Sequence, residues 1–212
     1  SRQSRGLGDV YKRQLLRLII VTTIWKSLRL LSGKIWMFHL GLKVHQHIQL
    51  NWRVIMPHYS TKKYGHNIGL SAVFRQPHAD HSHCRFLHGY SLAFKFTFGA
   101  SNLDHRNWVQ DFGGLKPLKQ WLEDTFDHKV VLDVNDPKLA HLESLSIHGL
   151  AEIVKLDGVG AEKFAEHAFN FANELVKSQT DGRVWCEECE CSEHGANSAI
   201  YTPWTIRKEK YV

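Results

Sequence analysis

The chain has 212 residues, 43% of them hydrophobic, enough for one globular domain with a sizeable core. Its formal charge of +6 would suit a nucleic-acid or membrane partner, but that charge is unevenly spread. Residues 1–55 hold ten Lys/Arg against one acid, Asp9, a local charge of +9, whereas the seventeen basic and twenty acidic residues of 56–212 leave −3. The part that reads as a domain therefore lacks the basic footprint of a nucleic-acid binder.

The leader is unusual throughout. No Asp or Glu occurs from Val10 to Ala79, and the apolar stretch Leu15–Leu31 is interrupted by Arg17, Lys26 and Arg29. Its longest uncharged piece, Leu18 to Trp25, falls far short of the ~20 residues of a membrane helix. No small-x-small cleavage site follows it, so a signal peptide is not indicated, although a basic, acid-poor transit peptide would have this composition. The expectation is that residues 1–55 are translated non-coding sequence and that Met56 is the real start of a single domain, 56–212.

Along that domain, Ile68–Gln76 reads as a strand entering a loop rich in His, Asp and Ser. From His88 to Phe98 the residues alternate, with Leu92, Phe94, Phe96 and Phe98 on one face and Ala93, Lys95 and Thr97 on the other, the period of a half-buried strand. His88 and Tyr90 share the parity of the apolar face. Leu115, Leu118, Trp121, Leu122 and Phe126 recur at helical spacing behind Asp111, with Pro117 near the first turn. Asp127-His128 follow at the helix end, before the apolar run Val130–Val134.

A weaker helical stretch runs from Asn135 to about Leu145, and Ile153–Leu156 reads as a strand. A long helix covers Ala161 to Lys177, and the strands Arg183–Glu193 and Ser198–Thr202 close the domain. Strand pairs separated by helices, without regular βαβ alternation, indicate an α+β fold on an antiparallel sheet. Four cysteines are too few for a disulfide scaffold, which points to reduced thiols in a cytoplasmic protein. On a regular strand Cys186 would face away from Cys189 and Cys191, and all three read as packing residues.

The densest chemistry lies in His78-Ala-Asp80-His81-Ser-His83-Cys84-Arg-Phe-Leu-His88-Gly89-Tyr90. Four imidazoles and a thiol are ligands of the kind Zn²⁺ takes, though His-rich loops are as often solvated surface. The segment Cys84 to Ser91 resembles the signature of the 6-pyruvoyltetrahydropterin / 6-carboxytetrahydropterin synthase family, a Cys followed four residues later by His-Gly-His. Three further stretches are similar to motifs of that family, in the same order: Trp108–Lys116 around Asp111-Phe112, Phe126-Asp127-His128-Lys129, and Ser192-Glu193-His194.

The resemblance implies a tunnelling fold, or T-fold: a four-stranded antiparallel sheet with two main helices on one face. It further implies a homo-oligomer of the hexameric barrel type, with active sites between protomers. The implied activity is a lyase acting on 7,8-dihydroneopterin triphosphate, yielding 6-carboxytetrahydropterin on a queuosine-type route or 6-pyruvoyltetrahydropterin on a biopterin route. Cys84 matches the catalytic thiol, Asp127 and His128 the proton-relaying pair, and Glu193 the carboxylate that anchors the pterin ring.

Two of the three family zinc ligands are changed here, since the first-strand position is Phe74 and the second of the His-Gly-His is Tyr90. The expectation is a rebuilt zinc site on His81, His83 and His88, with loss of the metal as the alternative. Rival readings are an aldolase-like relative, against which Cys84 speaks, and a pterin- or purine-binding oligomer that no longer catalyses. Without its company, Asp127-His128 would be a capping pair and Glu193 a strand-end charge, while Arg106, Lys116 and Lys119 read as solvated.

Overall fold

A computed structural model describes residues 57–203, so the readings of the leader and of a start at Met56 lie outside the described residues. The fold is registered on strand β3, His88–Ala100, whose alternation puts Leu92, Phe94, Phe96 and Phe98 fully inward. One edge of β3 carries two strands in series, β1 (His58–Tyr64) along its second half and β2 (Leu70–Phe74) along its first, both antiparallel. Between them a short turn, His66–Ile68, is pinned to β3 by reciprocal contacts of His66 and Ser91. On the other edge β6 (Val184–His194) pairs antiparallel with β3, and β7 (Asn197–Tyr201) with β6.

Counting β1 and β2 as one interrupted strand, this is the four-stranded antiparallel sheet expected of the T-fold. The sheet goes further. β4 (Lys129–Asp133) adds parallel to β2, and β5 (Glu152–Leu156) adds parallel to β4, giving a mixed sheet of seven strands among the described residues.

Helices α1 (Lys116–Phe126) and α3 (Ala161–Gln179) cover the apolar face. Their contact with it is aromatic: Phe164 meets Phe74 at 5.0 Å and Phe126 at 5.1 Å between ring centres, and Phe126 meets Phe94 at 5.1 Å. Ala165, Ala168 and Ala172, buried on the inner side of α3, let its backbone approach the sheet closely. A shorter helix, α2 (Leu139–Ile147), has no buried residue. Before it, Asp136 is buried beside Arg75 at the end of β2, 3.1 Å away, and its carboxylate also accepts from the Lys138 amide.

Strand β1 has no apolar periodicity to announce it. Its inward positions are His58, Ser60, Lys62 and Tyr64, and only Tyr64 is buried, with its hydroxyl donating to the Leu115 carbonyl. Strand β6 corrects the orientation of a cysteine. Its register against β3 slips between Thr97 and Phe98, which pair with Glu188 and Cys186, leaving Glu187 as the extra residue of a bulge. The bulge resets the alternation, so Cys186, Cys189 and Cys191 all face the core, at 3%, 0% and 0% exposure. Before the bulge, Trp185 lies over Gly99 on the opposite face, where a Cβ would stand 2.6 Å from the indole ring.

Burial pushes all three of these thiols well above the ordinary value of 9.0, and lifts the Tyr64 phenol to about 12. An unfolded thiol ionises near its ordinary value while the folded one keeps its proton. The stability this contributes is complete at lower pH and is lost as pH rises past 9. Three such groups should steepen alkaline unfolding by about 4 kcal/mol per pH unit above pH ~9, with Tyr64 adding to the loss above pH ~10. Urea titrations at stepped pH check this, and a flat profile to pH ~10.5 would contradict it. Removing the buried carboxylate in Asp136→Ala should cost about 3 kcal/mol in the same assay, since it strands the Arg75 guanidinium.

Candidate active site

The loop between β2 and β3 is closed by a backbone bond from the Gln76 amide to the Cys84 carbonyl, 2.8 Å. Within it, Ser82 accepts from the Cys84 amide and caps a single 3-10 turn, His83–Arg85. This holds the half-buried Cys84 thiol, which forms no disulfide, just ahead of β3. His88 opens the strand with Nδ1 2.8 Å from the Phe86 carbonyl. A carbonyl can only accept, so Nδ1 donates to it and Nε2 takes no part in that bond.

Tyr90 is the centre of the arrangement. Its phenol is raised above the ordinary value of 10.0 by burial first, then by the charges of Glu193 and Cys84. The loop that carries Cys84 runs directly into the strand that carries Tyr90, and the end of β6 that carries Glu193 pairs with the same strand. The His88 ring stands edge-on to Tyr90 at 5.5 Å, and the His194 ring lies 5.9 Å away. Glu193 lies at a second shift of register in β6, where Ser192 pairs with Ser198 and His194 with Asn197.

Asp127 and His128 end α1. The Asp127 amide caps the helix on the Glu123 carbonyl, and His128 takes a left-handed backbone, φ 56°, before β4 begins. His128 Nδ1 lies 2.7 Å from the Asp127 carboxylate, the arrangement that fixes a tautomer and leaves Nε2 free for proton transfer. The His128 side chain is 84% exposed. Lys129, the next residue, is in register with Ala72, and Ala72 with Tyr90, so the pair sits two strands, roughly 10 Å, from Tyr90 along one row of the sheet.

The metal reading fares differently. His81 and His83 are exposed on the loop, with His83 beside Phe86 at 6.4 Å, while His88 is in the strand facing Phe74 at 4.9 Å. Among the described residues no three His, Cys, Asp or Glu side chains gather as a ligand set, so His81, His83 and His88 are not brought together. The residues present do not fit a three-ligand zinc centre. Tyr90 and His194 lie within the family-like stretches, Tyr90 as a changed ligand position and His194 beside Glu193, but only the fold brings their rings together.

An open cleft of about 520 Å³ lies at the other end of β3, lined by Tyr59, Leu103, Trp108, Asp111 and Phe112 among others. It takes in much of the Trp108–Lys116 stretch but none of the residues around Tyr90. Cys84, His88, Tyr90 and Glu193 are half-buried.

Among solved structures the chain is similar to an uncharacterized protein from Wolinella succinogenes, with a TM-score of 0.57 at 18% identity, covering 69% of this chain and 98% of that one. It is also similar to the 6-pyruvoyl tetrahydropterin synthase of Plasmodium falciparum, with a TM-score of 0.52 at 13% identity over 70% and 99% of the two chains. At such identities these establish the shared fold. In sequence, a stretch of 63 residues is 33% identical to the 6-carboxy-5,6,7,8-tetrahydropterin synthase of Aquifex aeolicus. That stretch is 30% of this chain and 39% of the relative's length. The model of the 6-pyruvoyl tetrahydropterin synthase family matches residues 64–203, which takes in every motif and nearly the whole sheet, and the chain belongs to that family.

Proposed function

We propose that this chain is a cytoplasmic lyase of tetrahydropterin biosynthesis acting on 7,8-dihydroneopterin triphosphate. The proposed product is 6-carboxytetrahydropterin, with 6-pyruvoyltetrahydropterin as the alternative. The observation that supports the reading is the family match over residues 64–203, with the Cys84 loop running into β3 and the His194 ring, beside Glu193, 5.9 Å from Tyr90 on that strand. A bidentate acceptor such as Glu193 suits the amino-pyrimidinone edge of a pterin, and a thiol within reach of the ring substituent suits proton removal from its side chain. The Asp127–His128 pair supplies a second proton carrier. The exposure of His128 favours a homo-oligomer in which a second copy closes the site. No described helix is long and apolar enough to cross a membrane.

Incubation of the chain with dihydroneopterin triphosphate, followed by identification of products, is the direct test. Cys84→Ala is expected to lower turnover by about 10²- to 10⁴-fold while pterin binding persists. Binding without turnover by the unaltered chain would overturn the enzyme in favour of a non-catalytic pterin-binding oligomer. His128 offers a separate check, because its left-handed backbone, φ 56°, is adopted at less cost by glycine. His128→Gly should raise the melting temperature by about 3 °C and remove turnover together. A loss of stability instead would mean that His128 holds the fold rather than the chemistry.

A further inference from the structure

The positions that hold a metal in related proteins are filled here by an aromatic set. Phe74 pairs with His88 across β2 and β3, and Ala72 with Tyr90, which brings the Phe74 ring within 4.9 Å of His88 and 6.1 Å of Tyr90. Phe74 is fully buried, backed by Phe164 at 5.0 Å, so its ring has no room to swing aside for another ligand. A zinc ion needs N, S or O donors at about 2.0–2.3 Å. A benzyl ring offers none, and His88 Nε2 finds no two partners of the required type among the described residues.

What the set does offer is one hydroxyl. The Tyr90 ring is in contact with those of His88 at 5.5 Å and His194 at 5.9 Å, between the loop that carries Cys84 and the end of β6 that carries Glu193. A phenol donates a directional hydrogen bond and accepts another, which matches the hydroxyl-bearing side chain of a neopterin better than a bare pterin ring.

Building on the function proposed above, we propose that Tyr90 takes the place of the metal in this chain, donating a hydrogen bond to a side-chain oxygen of the bound pterin and selecting pterins that carry such an oxygen. His88 is then a positioning residue, fixed by its bond to the Phe86 carbonyl and holding the Tyr90 ring by its edge.

The test uses the full chain and two stable ligands, neopterin and 6-methylpterin, with zinc content measured alongside. Zinc should be far below one per chain after purification and after incubation with excess zinc followed by desalting. Exhaustive chelation should leave neopterin affinity unchanged. Tyr90→Phe, which keeps the ring and its packing, should weaken neopterin by about tenfold and leave 6-methylpterin unmoved. Stoichiometric zinc that disappears in His88→Ala would overturn the proposal, as would neopterin binding that chelation abolishes. Equal weakening of both ligands by Tyr90→Phe would reduce Tyr90 to a packing role and overturn it too. Failure of both pterins to bind the unaltered chain would sink the functional reading itself, an outcome distinct from the presence of zinc.

Discussion

Everything in this domain takes its register from the inward row Leu92, Phe94, Phe96 and Phe98 on β3. These side chains commit one face of a thirteen-residue strand to the core, and a shift of one residue would turn every one of them to solvent. With that face fixed, the first residues of the strand have no freedom either. His88 and Tyr90 must point to the same side, just past the edge of the packed aromatics, where half-burial is the outcome. The site is therefore an extension of the core rather than an addition to it, and its first components are oriented by burial that happens several residues away.

The other candidate residues are set by local devices. A loop closed by one backbone bond carries Cys84, a helix stop carries Asp127 and His128, and a shift of register in β6 carries Glu193. Each device is cheap in chain length and rigid in outcome. The helix stop has a dual character. The turn that ends α1 would be served at least as well by glycine, yet a histidine stands there in a left-handed conformation and bonded to its neighbour. Strain retained at such a point is more readily understood as a requirement of chemistry than of folding.

Much of this was legible in the sequence because the signals were periodic. The alternation of β3, the helical stripes of α1 and α3 and the order of the four motifs all rest on spacing, and spacing survives folding. What was not legible depends on partners. β1 presents polar residues inward and is a strand only because β3 offers it a ladder. The parallel addition of β4 and β5 is a matter of pairing, which no single run of residues reveals. The His-rich loop looked like a ligand store, but proximity in sequence did not become proximity in space once Ser82 and the 3-10 turn set the directions of its side chains.

The bulge in β6 has a consequence beyond the orientation of one cysteine. The strand runs in two phases joined at Glu187, with Trp185 covering Gly99 on one side and three thiols filling the core on the other. A chain shortened by that single residue would have to choose which half to honour, exposing a sulfur-lined wall or lifting an indole off its glycine. The length of this strand is thus constrained as tightly as its composition. Among descendants of such a sequence, gains and losses of residues should be found in the turns flanking β6 and absent from its interior.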